Sequence, residues 1–250
     1  ETLEGLKTYF PEPPDPEPFV RGIRASLRAL GVGEGPAVSW KWQPHEDWET
    51  LWRQGLGPRR VGKRIVVHPS WTEATVQSGD VVLTIDPGIA FGTAEHATTR
   101  LALELLESQV APGQTVADVG TGTGILAIAA ARLGAGRAMG YDTDPYAWAV
   151  ARENAAGNGV AHRVDVVEGP IPDGSPEFDG LVANIEWVRL RPMVPALARR
   201  VLVPGWMVLS GILLGQRDEA LHDLTELDLD PVMEAVQEEW WAVAVVAAGA

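Results

Sequence analysis

From Thr98 onward the hydrophobic pattern keeps changing period. RLALELLESQV (100–110), GILAIAAARLG (124–134) and PYAWAVARENAAGNG (145–159) space their apolar residues by three and four, which predicts helices. TVADVG (115–120), RAMGYD (137–142), VDVVEG (164–169), DGLVANI (179–185) and GWMVLSGI (205–212) are short apolar or alternating runs, which predicts strands. Further helices are expected near Pro192 to Leu202 and over RDEALHDLTEL (217–227). Two strand-like segments, PVMEAVQEEW (231–240) and WAVAVVAA (241–248), close the chain. Alternating strands and helices imply an α/β fold, a mostly parallel, doubly wound sheet covered on both faces. The last two strands, with no long helix between them, predict an antiparallel hairpin at one edge of a seven-stranded sheet.

The first third of the chain has no such rhythm. PEPPDPEP (11–18) reads as extended or loop-like, because proline fixes its own φ and removes a donor. FVRGIRASLRAL (19–30) carries Phe19, Ile23, Leu27 and Leu30 on one helical face. LKTYF (6–10) and AVSWKW (37–42) read as short strands, so residues 1–44 form a small α+β module. HEDWETLWRQGLGPRRVGKRIVVHPSW (45–71) opens a connecting segment, 45–84, with RIVVHP as a strand. Trp48 and Trp52, at i and i+4 of a short helix, are read as packing between modules. The main domain is placed at 85–250.

Composition narrows the function classes. With 46% hydrophobic and 22% charged residues the chain is globular rather than disordered. No run reaches the roughly 18 apolar residues of a membrane span, and the first residues lack the pattern of a secretory signal. A cytoplasmic protein with no membrane partner is therefore expected. The absence of cysteine removes disulfides, zinc thiolates and cysteine nucleophiles. No metal is expected, since the five histidines are scattered without ligand spacing. The formal charge of −14 argues against nucleic-acid binding. It suits a basic partner, and it equally serves solubility.

Three strand ends carry the chemistry. DVGTGTG (118–124) ends one strand and opens a helix, and Gly120, Gly122 and Gly124 let the main chain approach a ligand beside unpaired N–H groups. Its G-x-G-x-G spacing differs from the G-x-G-x-x-G turn of dinucleotide enzymes, so a nicotinamide dehydrogenase is disfavoured. Asp142 ends the next strand about 20 residues on, where a carboxylate accepts from a ribose diol. Asp144 is read as the cap of the following helix. Asn184, at the end of the fourth strand, faces the crevice of such sheets, where its amide can both accept and donate; a turn or capping role is the alternative.

Together, DVGTGTG, GYDTDP and VANI resemble a class I S-adenosylmethionine-dependent methyltransferase. The upstream segments EDWETLWRQGLGPRRVGKRIVVHPSW and DPGIAFGTAEHATTRLALELLE are similar to the family that methylates ribosomal protein L11. That resemblance, from about His45 to the last strand, implies a Rossmann-like methyltransferase sheet with a truncated N-terminal substrate-recognition module. It implies S-adenosylmethionine as cofactor, contacts from Thr99, Gly120, Gly122, Asp142 and Asn184, and a basic ribosomal substrate met by a monomer. Asn184 is expected to position the acceptor amine. His96 either accepts its proton or only fixes the loop. The family usually has glycine where this chain has Ala94, and Leu-Ala where it has Glu186 and Trp187. These departures border the expected acceptor site. Methylation of another protein or a small molecule, and a non-catalytic cofactor-binding module, are the competing readings.

Overall fold

The computed structural model describes residues 16–29, 31, 56–86, 92–172 and 174–247. The chain divides into two compact units, Glu1–Arg53 and Gln54–Ala250. In the first, α1 (Pro16–Ala29) is the amphipathic helix read from FVRGIRASLRAL, with Glu17 in its first turn and Arg28 in its last, both favourably placed on the helix dipole. It begins earlier than expected. Pro16 and Pro18 sit in its first turn, where the missing N–H has no helical partner to lose, so the end of the proline-rich stretch is helical rather than extended. The strands expected over LKTYF and AVSWKW and the helix carrying Trp48 and Trp52 lie outside the described residues.

The second unit opens with a three-stranded sheet: β1 (Arg59–Val61), β2 (Ile65–His68) and β3 (Val81–Thr84). β1 and β2 are antiparallel and β2 and β3 parallel. Ile65 and Leu83 are fully buried and join a core that continues into the larger sheet's helices. A polar clamp fixes one turn of this small sheet. At the β1–β2 turn, the Lys63 and Arg64 N–H groups donate to the two Glu107 oxygens at 2.7 and 2.9 Å. Glu107 belongs to α2 (Ala97–Gln109).

The large sheet is built from β4 (Thr115–Val119), β5 (Arg137–Asp142), β6 (Val164–Glu168), β7 (Phe178–Asn184), β8 (Val201–Leu213), β9 (Leu229–Gln237) and β10 (Trp240–Ala247). Its order is β6-β5-β4-β7-β8-β10-β9. The first five are parallel to one another, whereas β10 runs antiparallel to both β8 and β9. The predicted hairpin is present, and its second strand is the inner one, because WWAVAVVA is buried on both faces while β9 is largely exposed. On one face lie α2, α3 (Ile125–Leu133) and α4 (Pro145–Gly157); α3 is almost wholly apolar and buried. The other face holds a second core around Trp187, Leu190, Leu224 and Trp241.

One predicted helix is displaced. Instead of a helix from Pro192 to Leu202, the chain coils directly after Asn184 as α5 (Trp187–Leu190), a 3-10 turn (Arg191–Met193) and α6 (Val194–Ala198). Trp187, Leu190, Val194 and Leu197 line one buried face across all three pieces. Pro192 and Pro195 each take an early-turn position, which breaks one helix into short turns. α7 (Arg217–Glu226) falls where RDEALHDLTEL predicts it.

Candidate functional site

The chain runs outward through β4, β5 and β6, then returns to place β7 on the other side of β4. Ligands of open α/β sheets bind outside the strand carboxyl ends at such a reversal. The β4–α3 and β5–α4 turns and the end of β7 therefore converge on one crevice.

Gly120, Gly122 and Gly124 all have positive φ, which side chains with a Cβ tolerate poorly. A Cβ on Gly120 would lie 3.0 Å from Ile185 just past β7. On β5, Gly140 makes room for Thr121, whose hydroxyl a Cβ there would approach to 2.6 Å. Asp142 Oδ2 accepts the Gly122 N–H and Oδ1 the Asp144 N–H, both at 2.9 Å. These bonds hold the carboxylate at the strand end and leave lone pairs for further donors. Asp144 accepts the Tyr146 N–H and caps α4.

Asp118, the first residue of the glycine motif, is fully buried. Its Oδ2 accepts from the Thr121 hydroxyl at 2.7 Å and the Ala127 N–H at 3.0 Å, while Oδ1 has no partner among the described residues. Burial pushes its carboxyl up to about 7, opposed by those two donors and assisted by the nearby Asp142 charge.

Asn184 and Thr99 come together: the Asn184 Nδ2 donates to Thr99 Oγ1 at 3.1 Å. Thr99 lies in the first turn of α2 and is fully buried. His96 is the N-cap of α2; its Nδ1 accepts the Thr98 N–H at 3.4 Å and contacts the Thr98 hydroxyl at 2.8 Å. Its ring also meets Trp240 of β10 edge-on, with centroids 5.0 Å apart. In the neutral imidazole an accepting Nδ1 leaves the proton on Nε2.

The segment before α2 is tied down by groups the sequence did not single out. The Thr123 hydroxyl donates to the Gly92 carbonyl, so the wall segment touches the glycine turn. Asn154 of α4 accepts the Asp86 N–H at 3.0 Å and donates to the Asp86 and Thr123 carbonyls at 3.0 and 2.9 Å. One turn later, Asn158 accepts the Thr84 N–H and donates to the Thr84 carbonyl. This pair of amides closes the end of β3 as a neighbouring strand would. A sequence signal existed: Asn154 interrupts the apolar face made by Ala147, Ala151 and Ala155. Arg100 donates to the Ala94 and Glu95 carbonyls, to Gln237 at the end of β9 and to Glu238 in the β9–β10 turn. Ala94 has φ 61° and is buried, so it holds a left-handed backbone that glycine adopts more readily. Trp187 is buried in the core, whereas Glu186 is exposed.

A doubly wound sheet ending in an inserted antiparallel strand, with a glycine turn and a strand-end acid at its reversal point, defines a class I methyltransferase fold. Comparison with known proteins narrows the class. The family described as ribosomal protein L11 methyltransferase (PrmA) matches residues 4–248. A ribosomal protein L11 methyltransferase of Pelotomaculum thermopropionicum is 43% identical over 216 residues, spanning 85% of this chain and 70% of that protein. One of Alkaliphilus oremlandii is 37% identical over 98% of this chain and 80% of its own. The crystal structure of a ribosomal protein L11 methylase from Lactobacillus delbrueckii subsp. bulgaricus superposes with a TM-score of 0.71 at 31% identity, covering 77% of this chain and 99% of that one. The chain belongs to the ribosomal protein L11 methyltransferase family, and it is a protein methyltransferase.

Proposed function

We propose that this chain transfers methyl groups from S-adenosylmethionine to lysine side-chain or N-terminal amines of ribosomal protein L11, the substrate its relatives are named for. The observation that carries the reading is the Asn184–Thr99 pair at the carboxyl edge of β7, opposite the glycine turn. With one N–H of its NH2 group donated to Thr99, the Asn184 amide is oriented so that its carbonyl oxygen is an acceptor for a ligand. A neutral amine donates N–H to such an oxygen and keeps its lone pair free to react.

The site's other groups fit the cofactor. The positive-φ glycine turn suits a close ligand, the unpartnered Asp118 Oδ1 suits a cationic amino group, and Asp142 suits a ribose diol. When bound, S-adenosylmethionine supplies an activated methyl group on a sulfonium. Thr99, Gly120, Gly122, Asp142 and Asn184 would hold it; Asn184 would also orient the incoming nitrogen, which is alignment catalysis rather than chemistry by a side chain. The amine arrives mostly protonated and loses that proton before reacting. His96 is assigned to the wall rather than to that proton, because its only lone pair caps α2.

The net charge of −14 supports a basic protein substrate. A ribosomal substrate places the reaction in the cytoplasm, and among the described residues no helix is long and apolar enough to cross a membrane. The module before residue 45 is assigned to substrate recognition. Incubation of purified L11 with the enzyme and S-adenosylmethionine, followed by intact mass measurement, tests the reading. Mass increments of one CH2 each are expected, and an unchanged mass would refute it.

A further inference from the structure

Among the described residues, Gly92 to Glu95 take part in no main-chain-to-main-chain hydrogen bond, so side chains hold this stretch of wall. Thr123 of the glycine turn donates to the Gly92 carbonyl. Arg59 of β1 donates to the Glu95 carboxylate at 2.6 Å, and Arg100 of α2 to the Ala94 and Glu95 carbonyls.

Arg100 differs from the other two because its guanidinium serves two segments at once. Nη1 donates to both wall carbonyls, at 3.1 Å to Ala94. Nε donates to Gln237 Oε1 at 3.0 Å and Nη2 to Glu238 Oε1 at 3.3 Å, at the turn between β9 and β10. The side chain is only 13% exposed, so water competes little for these bonds. A planar fork of five N–H donors can satisfy both segments together, and a lysine ammonium cannot. The non-glycine residues with positive φ among the described residues are Ala94, Asp228 and Glu238, and Arg100 holds the first and the last. Such backbone persists only where its surroundings enforce it. The His96 ring against Trp240 is a second contact between the wall and the same hairpin.

The geometry points to Arg100 as a positioning residue that sets the wall against the glycine turn, with the β9–β10 turn as its anchor. This rests on the S-adenosylmethionine reading above. The wall ends at Gly92, which meets Thr123, and leads through His96 to Thr99, which meets Asn184. A wall released from Arg100 therefore loosens both sides of the crevice. The consequence is specific: a turn at the far edge of the sheet, carrying none of the residues assigned to the cofactor, governs cofactor affinity.

Calorimetric titration of S-adenosylmethionine into the full chain, with hydrogen exchange of the free protein, tests this. The variants are Arg100→Met, Arg100→Lys, the turn variant Gln237→Ala/Glu238→Gln, and the turn changes combined with Arg100→Met. Arg100→Met is expected to weaken binding by about tenfold or more, the range of lost charged hydrogen bonds, and Arg100→Lys to recover little of it. The turn variant is expected to weaken binding by about threefold, and to add little once Arg100 is gone. Amides of residues 93–96 should exchange faster in each variant, while those of α3 keep their wild-type rates. Unchanged affinity and wall exchange in the turn variant overturn the proposal, and that variant decides the matter if Arg100→Met folds poorly. Additive losses in the combined variant, or faster exchange spread through α3, also overturn it by marking a general structural role. Wild type that binds no S-adenosylmethionine overturns the cofactor reading and this proposal with it; wild-type binding beside an unaffected turn variant overturns this proposal alone.

Discussion

The Asn184 amide nitrogen donates to the Thr99 hydroxyl at 3.1 Å, joining the end of β7 to the first turn of α2 across 85 positions of sequence. The bond decides which end of the Asn184 amide faces an acceptor. Thr99→Val keeps the shape and removes the oxygen, so the amide is free to rotate. We expect kcat to fall by about tenfold, while Thr99→Ser keeps it near wild type. Asn184→Ala removes the orienting group itself and is expected to cost about a hundredfold, the scale of a misaligned reactant. Single-turnover methylation separates these effects from product release.

Asn154 holds the wall of the site through three hydrogen bonds, two to Asp86 and one to Thr123, and is only 6% exposed. Asn154→Ala leaves buried main-chain groups without partners. A loss of about 2–4 kcal/mol is expected in urea unfolding, from the cost of orphaned buried polar groups. Asn154→Asp keeps the acceptor and loses both donors, so it should also be destabilised. In both variants S-adenosylmethionine affinity should fall, because Thr123 ties the same loop to Gly92.

Asn154 also shows where sequence reading stops. The mostly parallel, doubly wound class of the sheet follows from alternating periods, and Gly120, Asp142 and Asn184 are legible because each lies at a strand end in that alternation. Asn154 is a single amide inside a helix, and its partner at Asp86 lies 68 positions away, a distance no local pattern encodes. Arg100 is hidden for the same reason, since its acceptors include Gln237 and Glu238. The displaced helix after Asn184 has a different cause: Pro192 reads as a helix start, whereas Trp187 and Leu190 are already buried before it.

Ala94 occupies a left-handed backbone position with φ 61° and no exposed surface. A non-glycine residue there costs about 1–2 kcal/mol. Against that stand the buried methyl, about 0.8 kcal/mol, and the lower entropy of the unfolded chain, about 0.4–1 kcal/mol. The terms nearly cancel, so Ala94→Gly should alter stability by less than about 1 kcal/mol and leave activity intact. Ala94→Val adds β-branching to the same strained backbone in a filled site and should destabilise by about 2 kcal/mol or more. Thermal unfolding of the two variants checks the contrast. A large loss on Ala94→Gly would mean that the alanine is required for more than the path of the chain.

Asp118 supplies a pH dependence with a definite sign. Its carboxyl is raised from the ordinary carboxylate range to about 7, first by burial and then by the Asp142 charge, with the Thr121 and Ala127 donors opposing. Between about pH 4 and 7 the unfolded chain has released this proton while the folded chain still holds it. Folding therefore binds a proton there, and the contribution of Asp118 is fully present below about pH 4 and lost as the pH rises through 7. The loss is on the order of a few kcal/mol across that window. Asp118→Asn keeps an oxygen for the Thr121 and Ala127 donors and cannot ionise. Its stability relative to wild type should climb from pH 4 to 7 and then level off, as read by urea unfolding of both proteins at each pH. A constant difference would mean that Asp118 ionises normally. A cationic ligand beside the unpartnered Oδ1 favours the ionised carboxylate, so S-adenosylmethionine binding near pH 7 should release a proton in wild type and not in Asp118→Asn. Calorimetry in buffers of different ionisation enthalpy measures that proton directly.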